Sequence, residues 1–278
     1  MRTIHVSLQE AEDSIGKVDA RVLLCDVLGV DRAFLATNPF HILTETQDAR
    51  IDMLVAQRLL GQPVAYLVGR REFYGRDFAV DGHVLIPRPD TETLVEAALK
   101  RMPSACSVLD LGTGSGAIAV TLACERPEAR VTAVEKDPET LRVARSNGES
   151  HAPGRIEWLE GSWFAPVAGR RFDMIVSNPP YVAANDPHLG QGDLRFEPQG
   201  ALTDGSEDGL GSIRAIVVAA RDYLVPGGWL LLEHGYDQAA AVAGLLREAG
   251  FEAPESIPDL AGIPRVAAAR MTIQYPGP

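Results

Sequence analysis

The stretch VLDLGTGSGAIAV, residues 108–120, decides how the chain folds. Residues 107–111 read as a strand and 117–124 as a helix. Between them Gly112, Gly114 and Gly116 form a turn that brings bare backbone close to whatever lies above it. A strand running through glycines into a helix opens a nucleotide-binding α/β sheet. The alternation continues downstream, with strands over 130–135, 156–159, 172–177, 229–233, 251–256 and 265–271. Helices fall over 138–147, 213–224 and 238–248. Such an order predicts an α/β fold with a seven-stranded, mostly parallel, doubly wound sheet covered on both faces. Ligands of such sheets sit at the carboxyl ends of the strands, near the switch point.

Upstream the pattern is helical. SLQE, Ser7 to Glu10, fits a capping box. In ARIDMLVAQRLLG the residues Ile51, Leu54, Val55 and Leu59 recur at helical spacing, and Gly61 with Pro63 closes the run. His41 stands alone among apolar neighbours and reads as structural. From Phe73 to Ile86 the residues alternate around Gly75 and Asp81-Gly82 as a hairpin does, and Asp90 or Thr91 caps the helix that follows. The expected domains are a helical one over 1–72, a hairpin linker over 73–88 and the α/β domain over 89–278.

The chain of 278 residues is long enough for one large or two modest domains, and its 46% hydrophobic and 23% charged residues are ordinary for a globular protein. No stretch reaches the ~20 apolar residues a membrane-spanning helix needs. The start, MRTIHVSLQEAED, lacks the apolar core of a signal peptide. Cys25, Cys106 and Cys124 share no metal-ligand spacing and read as small buried hydrophobes in a reducing compartment. A cytoplasmic protein with no membrane contact and no metal is expected. The net charge of −12 argues against a phosphate backbone as the main partner. A local basic patch from Arg70, Arg71, Arg76 and Arg88 remains open.

The glycine spacing is GxGxG, not the GxGxxG that cradles a pyrophosphate. Asp110, just ahead of the turn, repels phosphate but suits a cationic end. Glu135, ending the next strand, stands where an acid meets a ribose diol. Together they suit S-adenosyl-L-methionine. Ser162 with Trp163 or Phe164, in EGSWF, fits the place where the adenine rests.

A second stretch, DMIVSNPPYVAA over 173–184, leaves an apolar strand through Asn178, Pro179, Pro180 and Tyr181. Methyl transfer to an amide or conjugated amine nitrogen requires turning its delocalised lone pair toward the methyl carbon. Two acceptors on its two N–H groups do so, and stabilise charge that grows on nitrogen. The Asn178 side-chain oxygen and the Pro179 carbonyl are the two acceptors. Prolines hold them stiffly, and Tyr181 offers a flat face for a planar group.

DLGTGSG followed by SNPPY resembles the amino-methyltransferases. VLIPRPDTETLVE (84–96), PHLGQGDLRFEP (187–198) and LLLEHG (230–235) resemble the HemK-type (PrmC) peptide chain release factor glutamine methyltransferases. The resemblance covers nearly the whole chain. It implies a Rossmann-like class I methyltransferase domain behind a small helical domain that touches the substrate. The implied substrate is the glutamine of the GGQ loop of class 1 release factors, methylated on its side-chain nitrogen. Asn178 and Pro179, with Pro180 and Tyr181 beside them, hold the glutamine. Asp110, Gly112, Thr113, Gly114, Gly116, Glu135, Ser162, Trp163 and Asn178 surround the donor, and Arg88 and Glu197 lie near the substrate. The family commonly has an acid where this chain has Ser162, so one adenine contact is weaker here. A monomer without direct nucleic-acid contact is expected. The alternative is a DNA or RNA amino-methyltransferase acting on adenine.

Overall fold

The computed structural model describes residues 2–272. Within them the chain forms two compact units, residues 2–70 with Gly190–Phe196, and the remainder.

The first unit is helical. Helices α1 (Ile4–Ile15), α2 (Lys17–Leu28), α3 (Arg32–Thr37), α4 (Glu45–Leu59) and α5 (Val64–Val68) pack around Ile4, Leu24, Leu43 and Ile51. Helix α1 starts earlier than SLQE suggests: Thr3 accepts the Val6 N–H as the cap, and Ser7 is a buried residue of the helix interior. The capping box lies instead at the head of α4, where Thr44 and Gln47 exchange side-chain and backbone bonds. Ile51 and Leu54 are buried as the periodicity requires, whereas Leu59, one turn on, is exposed. Gly190–Phe196 groups with these helices, and within the unit Asp193 pairs with Arg58 at 2.7 Å. His41 meets Phe34 edge to face, a packing role.

After the first unit's last helix comes a two-stranded sheet of β1 (Arg70–Phe73) and β2 (Arg76–Ala79), all but its first residue in the second unit. The hairpin is therefore shorter and earlier than expected. Val80, Val84 and Ile86 are buried, so the alternation is real, but they pack as irregular chain and not as a strand. Of the four arginines that left a basic patch open, three are paired with acids: Arg70 with Asp26, Arg76 with Glu125 and Arg88 with Glu197. Of the cysteines, all free, only Cys106 is buried; Cys25 and Cys124 are half-buried.

A 3₁₀ turn at Pro89–Thr91 leads into α6 (Glu92–Arg101). The main sheet follows: β3 (Ser107–Leu111), β4 (Arg130–Glu135), β5 (Ile156–Glu160), β6 (Phe172–Ser177), β7 (Leu224–Glu233), β8 (Phe251–Pro258) and β9 (Pro264–Met271). Helices α7 (Ala117–Glu125), α8 (Pro138–His151), α9 (Gln199–Leu202), α10 (Gly211–Tyr223) and α11 (Ala239–Glu248) connect them. The strand order is β5-β4-β3-β6-β7-β9-β8, with β9 antiparallel to both neighbours. This is the seven-stranded, mostly parallel sheet the alternation predicts.

Successive residues of β3 serve opposite faces. Val108 joins the core under α6 and α7, while Leu109 and Leu111 join the core under α10 and α11. Burial on both sides is why these strands read as continuous apolar runs. From β3 the chain winds outward through β4 and β5, then returns to lay β6 on the other side of β3. The switch point thus lies between β3 and β6, where the glycine turn and the Asn-Pro-Pro-Tyr elbow leave adjacent strands.

Candidate active site

A cavity of about 310 Å³ opens at that switch point. Gly112, Thr113, Gly114 and Glu135 line one part of it, Ser162 and Trp163 another. Asn178, Pro180, Arg88 and Thr91 complete the end near the elbow. Residues distant in sequence meet here because parallel strands deliver their following loops to one edge.

All three glycines of the turn have positive φ, a backbone that side chains rarely adopt. Their uses differ. A Cβ on Gly114 would point into open space, so this position offers bare backbone to a ligand. A Cβ on Gly116 would press on the Trp158 ring at 3.2 Å and the Ala144 carbonyl at 3.3 Å, so Gly116 serves helix packing and does not line the cavity.

Glu135 is nearly buried, and its carboxylate is fixed from three sides. Oε1 accepts the N–H groups of Lys136 at 2.8 Å and Asp137 at 3.2 Å, and Oε2 accepts that of Gly114 at 3.1 Å. Oε1 thus uses both its lone pairs, while Oε2 keeps one for a further donor, which suits a ribose hydroxyl. Asp110 is fully buried; Oδ2 accepts the Thr113 hydroxyl at 2.6 Å and Oδ1 has no partner. Burial pushes its carboxyl up to about 7. In its ionised form such an acid favours a cation nearby. Asp110 does not itself line the cavity, but through Thr113 it is bonded to a residue that does.

Trp163 holds φ +48°, a strained backbone for an aromatic residue. Its indole lies 3.5 Å from where a Gly112 Cβ would stand. Ser162 beside it is exposed on the cavity side. Phe164 takes no part: it is buried and stacks on Tyr223 at 4.4 Å. The residues present thus fit S-adenosylmethionine, with a buried acid behind Thr113 on the side of its cationic end, an anchored carboxylate for its diol and a flat ring for its base.

The elbow is held rigidly. The Ser177 hydroxyl donates to the Leu111 carbonyl at 2.7 Å. The Gln238 amide donates to the Tyr181 carbonyl at 2.9 Å, and the Val182 N–H donates to the Leu202 carbonyl at 2.9 Å. Gly209 must be glycine, since a Cβ there would stand 2.2 Å from the Tyr181 oxygen. Asn178 donates from Nδ2 to the Thr91 hydroxyl at 3.2 Å. Among the described residues no donor reaches Asn178 Oδ1 or the Pro179 carbonyl.

Tyr181 does not line the cavity. Its ring packs on the core under α10 and α11, and its hydroxyl donates to Glu233 Oε1 at 3.1 Å. Burial, then the nearby Glu233, push its own pKa up. Glu197 is also absent from the lining; it accepts the Ile86 N–H at 3.0 Å and pairs with Arg88, which does line the cavity. It orders the loop that carries Arg88. Thr91, Glu233 and Gln238 were not singled out as site residues from the sequence, because their partners are 87, 52 and 57 residues away.

Comparison with known proteins adds the following. The model of the methyltransferase small domain matches residues 89–192, and that of the PrmC N-terminal domain matches residues 2–69. The release factor glutamine methyltransferase of Burkholderia pseudomallei is 52% identical over 262 residues, 91% of this chain and 92% of that protein. The protein of the same name from Xylella fastidiosa is 48% identical, over 95% of this chain and 96% of its own length. Among solved structures, a methyltransferase from Pyrococcus furiosus superposes with a TM-score of 0.55 at 20% identity, over 83% of this chain and all of that one. That likeness concerns the fold alone.

Proposed function

The chain belongs to the release factor glutamine methyltransferases, and from that premise we propose how its cavity carries out the reaction. The substrate atom is the side-chain amide nitrogen of the glutamine in the GGQ loop of class 1 release factors. When bound, S-adenosylmethionine supplies a methyl carbon activated by its sulfonium. Glu135, Asp110, Gly112 and Gly114 hold it, with Trp163 and Ser162 at the base.

One observation carries the reading. Asn178 lines the cavity with its nitrogen engaged by Thr91, leaving its oxygen without a donor; Pro179, the next residue in the chain, does not itself line the cavity, but its carbonyl is equally without a donor. Two such acceptors match the two N–H groups of a primary carboxamide. Gripping both hydrogens fixes the amide plane, turns the nitrogen lone pair to one side and stabilises positive charge as it forms. No general base is needed beforehand, because the methylated nitrogen is acidic enough to lose its proton to water. Tyr181 supports the elbow from beneath, and Arg88, held by Glu197, faces the substrate end.

The helical unit is the part we assign to recognition of the release factor body. A cytoplasmic monomer acting without direct nucleic-acid contact is the form this reading expects. The test is methyl transfer from labelled S-adenosylmethionine to a purified release factor. Label is expected on the wild-type factor and not on its GGQ-to-GGA variant. Label on DNA or RNA, and not on the factor, would overturn the assignment in favour of an adenine methyltransferase.

A further inference from the structure

Three exposed apolar side chains gather at the sheet edge from which the elbow projects. Tyr236 is 70% exposed, Ile263 38%, and Leu260 fully. Strands β6 and β7 run parallel and end together, Ser177 beside Leu232, so the chain leaving β7 emerges next to the elbow. There it makes a tight turn: the Gln238 N–H donates to the Gly235 carbonyl at 3.0 Å, and the Gly235 N–H donates to Gln238 Oε1 at 2.8 Å. Tyr236 stands on that turn. Gln238 Nε2 also donates to the Tyr181 carbonyl at 2.9 Å and to the Asp208 carbonyl at 3.0 Å, so the turn is bolted to the elbow itself. Leu260 and Ile263 ride the turn between β8 and β9. Because β9 is antiparallel to β7, with Glu233 facing Val266 and the His234 N–H donating to the Arg265 carbonyl at 2.9 Å, that turn comes out beside the one carrying Tyr236.

The second turn is stiff as well. Asp259 Oδ1 accepts the N–H groups of Ala261 and Ile263, each at 2.9 Å, and Oδ2 accepts Arg265 Nε at 3.2 Å. The backbone closes the loop from Asp259 N–H to the Ile263 carbonyl at 2.9 Å. A single exposed apolar residue is ordinary, but three on adjacent turns beside a reaction site mark a surface made to be covered. Turns already ordered lose little freedom when a partner arrives. Glu207 and Asp237 lie exposed on the flanking loops and form no ion pair among the described residues. We propose that Tyr236, Leu260 and Ile263 form a docking surface for the protein substrate, covered by an apolar patch with basic flanks on the domain that bears the GGQ loop. Position decides the occupant: a glutamine that reaches Asn178 brings its own fold against the edge from which the elbow projects, and this surface continues from it. The inference rests on the release-factor reading above and extends it from the reacting amide to the fold behind it.

The test uses full-length protein and a purified release factor, with kcat, KM for the factor and the affinity for S-adenosylhomocysteine measured together. Y236A and L260D should each raise KM roughly tenfold, the effect of losing an apolar anchor. Values of kcat should stay within about twofold, since the lost contact serves ground and transition states alike. Unchanged S-adenosylhomocysteine affinity certifies the fold, and L260D carries the test should Y236A not fold. V218D is the control: Val218 is 75% exposed, but it lies beside Pro226 and Met271 at the opposite edge of the sheet, and KM should not move. E207Q with D237N should flatten the dependence of KM on salt. Wild-type KM in both Y236A and L260D, an equal rise in V218D, or an unaltered salt dependence in E207Q with D237N would each overturn the proposal. The wild type separates the two levels. If it labels no release factor, the substrate reading falls and the docking surface with it. If it labels the factor while Y236A and L260D keep its KM, only the docking surface falls.

Discussion

The Ser177 hydroxyl donates to the Leu111 carbonyl at 2.7 Å, joining the last residues of β6 and β3 where each enters a loop of the cavity. One loop carries the glycine turn and the other the Asn-Pro-Pro-Tyr elbow. Their relative placement therefore does not depend on the loops alone; it is set one residue earlier, inside the sheet.

Removing that tie should register in stability before it registers in binding. Ser177 is fully buried, and S177A deletes one buried hydrogen bond at a cost of about 1–2 kcal/mol. Denaturant unfolding measures it as a lower midpoint with an unchanged slope. A several-fold fall in kcat, with donor affinity unaltered, is expected alongside it. An equal loss of donor affinity would mean that the glycine turn moves with the bond.

Asp110 predicts a proton-linked donor equilibrium. Its carboxyl lies at about 7 in the free protein, against 3.8 ordinarily, because burial disfavours the charge. A cationic ligand end prefers the ionised form, so binding lowers this pKa and releases a proton when the pH is below it. Affinity for S-adenosylhomocysteine should rise roughly tenfold from pH 6 to pH 8. Calorimetry in buffers of different ionisation enthalpy counts the proton, and D110N should abolish both effects. A flat profile in the wild type would show that Asp110 does not face the cation.

Ser162 offers a gain rather than a loss. A carboxylate accepts more strongly than a hydroxyl from an exocyclic amine. S162D should tighten S-adenosylhomocysteine binding about three- to tenfold, with kcat at saturating donor little changed. Equilibrium titration decides it; weaker binding in S162D would move the adenine away from this position.

The sequence disclosed what rests on local or repeating patterns. Parallel strands buried on both faces read as apolar runs, which located the sheet. The glycine turn and the elbow are short, stiff and rich in residues with restricted or unusual backbones, so they too were legible. Thr91 was recognisable only as a helix cap, because its partner Asn178 lies 87 residues away. Glu233 read as the end of a strand, though its carboxylate holds Tyr181 from across the sheet. Tyr181 itself looked like a platform for the substrate, and only packing reveals that its ring belongs to the core. Residues 80–86 mimic a strand because Val80, Val84 and Ile86 are buried in alternation without any ladder to join. At the amino terminus Thr3 outcompetes Ser7 simply by coming first.

The pair of vacant oxygens, Asn178 Oδ1 and the Pro179 carbonyl, also counts. A primary amide satisfies both, whereas an amide already bearing one methyl retains a single N–H and leaves an acceptor unmet, with a bulky group pressed against it. On the clamp proposed above, product loses its grip as it forms and a second round is refused by arithmetic: monomethylation follows from an address that only NH₂ can answer.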